Sequence, residues 1–124
     1  MKLHAERIEG THAIARHGPD GVLVNDMQHT CSVVVPWTGQ VATWPVARFE
    51  DLQPEHFMAL ADLGPELVIF GSGARLRFPA ASALRPLIER RIGFEAMDTA
   101  AACRTYNVLL SEGRSVLAAL LFER

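Results

Sequence analysis

Seven residues in the second half of the chain have the types and spacing to do chemistry: Gly71, Ser72 and Gly73 in one cluster, Asp98 and Thr99 in a second, and Arg104 and Asn107 just beyond. Glycines let a backbone turn sharply and bring N–H groups close to a ligand, and the amides at a helix start carry partial positive charge. With Arg104 or Asn107 to fix it, a small anion is the ligand such a set would take. The glycine pair falls short of the dinucleotide fingerprint, because Leu76 stands where its third glycine belongs, and a plain tight turn is the simpler reading. Ser72 also fails as a hydrolase nucleophile, since Phe70 and Ala74 occupy the two glycine places of a nucleophile elbow. No catalytic residue is therefore assigned.

Metal and redox chemistry find no pattern either. His4, His12, His17, His29 and His56 scatter without H-x-x-x-H spacing, and Cys31 and Cys103 lie too far apart for a C-x-x-C pair. Neither a metal nor a cofactor is expected, and both cysteines read as buried reduced thiols. The net charge of −2 excludes the basic excess that nucleic-acid binding needs. No apolar run reaches the roughly 18 residues of a membrane span, and none follows Lys2 in Met1–Arg7, so the expectation is a cytoplasmic protein that does not span a membrane.

At 124 residues, 49% hydrophobic and 21% charged, the chain fits one globular domain over 1–124. Strands are expected at 11–16 and 21–25 around the turn His17-Gly18-Pro19-Asp20, and at 31–35 and 40–44, stopped by Pro36 and Pro45. A helix from Pro54 ends at Gly64-Pro65, with Phe57, Leu60, Ala61 and Leu63 at helical spacing. Glu66 to Phe70 reads as a buried strand. Ser82 is placed to cap a helix to Arg91, with Leu84, Leu87 and Ile88 inward and Gly93 as its stop. A short strand, Phe94 to Met97, follows. Asp98 or Thr99 then caps a helix over 100–112, with Ala102, Tyr106, Leu109 and Leu110 as its apolar stripe, Arg104, Asn107 and Ser111 as a polar one, and Gly113 at its end. The unalternating run Ser115 to Phe122 belongs at the centre of a sheet covered on both faces. Together these predict an α/β fold with three layers, a mixed central sheet between helices, and N-terminal β-hairpins as an added β layer.

The helix segment also carries a resemblance. Met97 to Arg114, with its Met-Asp-Thr, Thr-Tyr-Asn and Glu-Gly-Arg elements, is similar to the signature of a family catalogued as a domain of unknown function, whose eukaryotic members include the mitochondrial complex I assembly factor 3 proteins. Leu67 to Gly73 extends it, with Ser72 where the family has threonine, as do Pro79 and Gly93. The resemblance implies a three-layer α/β fold and no established reaction. It also implies a bacterial, assembly-factor-like module that binds a protein partner, with respiratory complex subunits as the candidates and self-association left open. The alternatives are an anionic ligand held by Gly71–Gly73 and Asp98–Thr99, and a motif that is structural throughout: Thr99 capping, the Tyr106 hydroxyl finding a partner and Arg104 locking loops together. Trp37 and Trp44, beside turns, suit either a contact surface or half-buried core.

Overall fold

A computed structural model describes residues 11–123; the N-terminal stretch Met1–Arg7 and His4 lie outside it. The run expected to be central is central. Val116–Leu120, strand β8, has all five residues buried, because its alternate side chains enter two different cores. It pairs in parallel with β6 (Leu67–Gly71) and antiparallel with β4 (Val33–Pro36). The sheet is completed by β5 (Ala42–Thr43) outside β4 and by β7 (Gly93–Met97) outside β6, giving the order β5-β4-β8-β6-β7. The β6-to-β7 and β6-to-β8 pairs are parallel and the connections between them run through helices, so the sheet is mixed, as expected.

One face of this sheet is covered by helix α3 (Thr99–Ser111) together with a three-stranded antiparallel sheet, β1 (Ile14–Gly18), β2 (Gly21–Val24) and β3 (Met27–His29). The opposite face packs on α1 (Pro54–Ala61) and α2 (Arg85–Glu89), with Trp44, Phe57 and Phe70 in mutual edge-on contact. The added β layer therefore exists on α3's side of the sheet, built from the first expected hairpin and β3, whereas the second expected hairpin, β4 with β5, extends the central sheet by pairing with β8.

Several boundaries depart from the sequence reading. Strand β3 falls in a stretch read as polar connection. Asn25 and Asp26 both take positive φ (51° and 67°) between the paired residues Val24 and Met27, so a two-residue primed turn makes a hairpin there. Strand β4 continues through Pro36, which pairs opposite Leu117. Helix α2 is shorter than expected: Pro86 sits in its first turn, Leu84 rather than Ser82 precedes it, and Ile88 faces solvent. Its stop is Arg91 rather than Gly93. The Arg91 N–H reaches the Ile88 carbonyl, the Ile92 N–H reaches that of Leu87, and Arg91 itself holds φ at +58°. This is the Schellman arrangement that Gly113 (φ +81°) closes at the end of α3. Leu63, past the end of α1, is half exposed. Cys103 is buried as expected but Cys31 is exposed.

A non-glycine residue in the left-handed region is strained by its Cβ. Arg91→Gly is expected to raise the unfolding free energy by about 0.5–1 kcal/mol, net of the entropy glycine adds to the unfolded chain, as measured by urea denaturation.

Candidate functional site

The two expected clusters do meet. Strands β6 and β7 lie side by side, so Gly71-Ser72-Gly73 and Met97-Asp98-Thr99 leave the sheet at the same end. What they do there is bind each other. Asp98 caps α3, its carboxylate accepting the Ala101 N–H at 2.9 Å. Thr99, the first residue of the helix, accepts the Gly73 N–H through its hydroxyl at 2.8 Å, and its own N–H donates to the Gly73 carbonyl at 2.9 Å. The Ser72 hydroxyl, wholly buried, accepts the Arg77 N–H at 2.9 Å and shares its proton between the carbonyls of Arg75 (2.7 Å) and Met97 (3.1 Å).

Gly71 owes its identity to packing. A Cβ there would come within 2.9 Å of the Leu120 side chain, 3.0 Å of the Thr99 hydroxyl and 3.1 Å of the Thr99 Cα. The absent side chain is what lets the first turn of α3 lie against β6. Gly73 takes φ +102°, a conformation that glycine adopts without strain.

Arg104 and Asn107 are not brought to this end. Asn107 clamps strand β1 onto α3, its side-chain oxygen accepting the Ile14 N–H and its amide donating to the Ile14 carbonyl, both at 2.8 Å. The buried Tyr106 hydroxyl lies 2.8 Å from the His12 carbonyl and 3.1 Å from that of Pro36, and burial pushes its pKa upward. The neighbouring Cys103 thiol is likewise pushed up, to about 12, by burial, against a small opposing pull from the Arg104 charge. It is no nucleophile near neutral pH. Arg104 itself is exposed and, among the described residues, makes no hydrogen bond or ion pair, so it does not lock loops together.

Two residues not singled out in the sequence complete the strand-end cluster. Arg77 donates from Nε to the Ser72 carbonyl at 3.1 Å, pairs with Glu123 at 2.8 Å and lies 4.6 Å above the centre of the Phe49 ring. Glu123 also accepts the Phe49 N–H at 2.7 Å. Desolvation is the largest influence on the Glu123 carboxyl and raises its pKa. The hydrogen bonds from Arg77 and Phe49, with the charges of Arg77 and Arg48, outweigh that and hold it below the usual carboxylate value. These partners lie 46 and 74 positions from Glu123, and no local pattern announces them.

A cavity of about 420 Å³ remains beside this cluster, walled by Gly18-Pro19, Gly73, Asp98, Ala100 and Phe122. Its lining residues include the acidic Asp98 and Glu123 and, among the described residues, no lysine or arginine. The Gly73 amide already has an acceptor and Asp98 sits on the positive end of the helix, so the geometry gives the anionic-ligand alternative no support. A second, apolar cavity of about 400 Å³ lies by Trp37, Ala42 and Leu63. Trp44 itself is buried core, its indole N–H donating to the His56 carbonyl at 3.2 Å, and Trp37 is half-buried. Among the described residues no three His, Cys, Asp or Glu side chains converge as a metal site, and no helix is long and apolar enough to cross a membrane.

The model of the family described as protein of unknown function (DUF498/DUF598) matches residues 14–121. The chain is similar to NADH dehydrogenase (ubiquinone) 1 alpha subcomplex assembly factor 3 of Bos taurus, 37% identical over 83 residues that make up 65% of this chain and 45% of that protein. The Danio rerio protein of the same name is 32% identical over 123 residues, covering 96% of this chain and 68% of its own length. The chain thus spans about half to two thirds of these relatives. A crystal structure of a Bordetella parapertussis protein superposes with a TM-score of 0.86 at 35% identity, covering 93% of this chain and 98% of that one.

If the motif's hydroxyls are structural, removing one exposes a buried partner. Thr99→Val, which leaves the Gly73 N–H unsatisfied, is expected to cost about 1–3 kcal/mol of stability in chemical denaturation, and Thr99→Ser well under half as much.

Proposed function

The chain belongs to the DUF498/DUF598 family, and from that membership and the site geometry we propose that it is a non-catalytic, partner-binding module resembling the respiratory complex I assembly factors. One observation carries this: the polar side chains of the motif that point inward, Ser72, Thr99, Tyr106 and Asn107, each hold the protein's own backbone, so none is left to act on a substrate. The Cys103 thiol is held protonated by the same burial. Meanwhile Arg104, in the middle of the motif, projects from α3 with no partner among the described residues. A cation left free on a rigid helix suits recognition of another protein's carboxylate, since the guanidinium fork pairs with carboxylates in two parallel hydrogen bonds. The name of the relatives, assembly factor of NADH dehydrogenase, supports subunits of that complex as the class of partner.

The test is affinity purification of the tagged protein at native expression from detergent-solubilised cells, with co-purifying proteins identified by mass spectrometry. Wild type is expected to recover subunits of respiratory complex I. Arg104→Ala is expected to lower that recovery about fivefold or more with an unchanged melting temperature, because its side chain is exposed. Recovery of no respiratory subunit by the wild type would remove the proposal.

A further inference from the structure

The connection between β6 and α2 runs from residue 72 to residue 84 without a helix or strand. Loops of this length inside a small domain are uncommon and are usually functional. This one is held in shape from within. Ser72 binds the backbone of Arg75 and Arg77, Arg77 returns to the Ser72 carbonyl and to Glu123, and Pro79 and Ala83 are buried. Yet the same loop leaves two large apolar side chains in solvent, Leu76 at 51% exposure and Phe78 at 70%, the latter the most exposed large hydrophobic side chain among the described residues.

Taking the partner-binding reading as given, we propose that Leu76 and Phe78 are a contact surface of the module, and that the surface they meet on a protein partner is an apolar pocket rimmed by carboxylates. The hydrogen bonds that hold the loop make this favourable, because a backbone already held loses less freedom on binding. Charge sets the partner's character. Arg75, next to Leu76, and Arg85, at the start of α2, are exposed and form no ion pair among the described residues. Glu123, a carboxylate at the base of the loop, is occupied by Arg77 and lies within the field of Arg48 as well. A partner that buried Phe78 without bringing acidic groups would leave these cations uncompensated at the rim. An anionic membrane offers negative charge too, but one phenylalanine and one leucine insert too little apolar surface for stable attachment to a bilayer. One or two well-packed anchors are what commonly dominate a protein interface.

The test places p-benzoylphenylalanine at Phe78 in the full chain, expressed at its native level and photoactivated in cells. The same residue at Met27, exposed on the small sheet, is the reference. The expected result is a crosslink from position 78, much stronger than from 27, into a protein peptide with Asp or Glu within a few residues of the attachment point. It should be reduced about tenfold by Arg75→Glu with no loss of melting temperature. Silence at position 78, equal crosslinking from 27, lipid adducts, attachment to a peptide without acidic residues, or indifference to Arg75→Glu would each overturn the proposal. If position 78 is silent while affinity purification still recovers respiratory subunits, this surface alone is wrong. If neither experiment recovers anything, the partner-binding reading falls with it.

Discussion

The architecture depends on how closely α3 approaches β6. With no side chain on Gly71, the Thr99 Cα comes to within 3.1 Å of where a Cβ would stand, and at that distance the Thr99 hydroxyl can take the Gly73 N–H. From this contact the rest follows in order. The helix is fixed at its first residue, so Ala102, Tyr106 and Leu110, on successive turns, meet the sheet, and Tyr106 and Asn107 are carried to where they can hold His12 and Ile14. The small sheet is thereby fastened to the same face. A motif that reads along the chain like a ligand site is, in three dimensions, the joint between a helix and two strand ends.

That joint also explains which parts of the protein were legible in the sequence. The central position of β8 could be read because a strand buried on both faces must be apolar without alternation, and Val116 to Leu120 has no polar residue. Helix α3 could be read because Asp98 and Gly113 supply its caps locally. What escaped depends on single backbone angles or distant neighbours. Strand β3 exists because Asn25 and Asp26 both adopt positive φ, and neither is glycine, so the turn left little trace. The end of α2 depends on Arg91 accepting a conformation that arginine rarely takes. The Arg77–Glu123 pair joins residues far apart in the chain.

The candidate site divides along the same line. That Gly71–Gly73 and Asp98–Thr99 would share one end of the sheet followed from element order. That they would satisfy one another did not, because Ser and Thr hydroxyls look alike in sequence whether they face a ligand or a backbone amide. Asn107 and Arg104, three positions apart on one helix and both polar, have opposite fates: one is drawn to Ile14 by a strand nearly a hundred residues earlier in the chain, and the other is left in solvent. The inward-facing groups hold the protein's own backbone, and the proposed partner contacts fall to the outward-facing ones.

The most direct test of that division is native-state hydrogen exchange at the Gly73 amide, followed by NMR. If the Thr99 hydroxyl holds it as part of the structural joint, it exchanges only on global unfolding, with the same protection as the core amides of β8. Exchange at the rate of an open loop would contradict the account and return the strand ends to the standing of a ligand site.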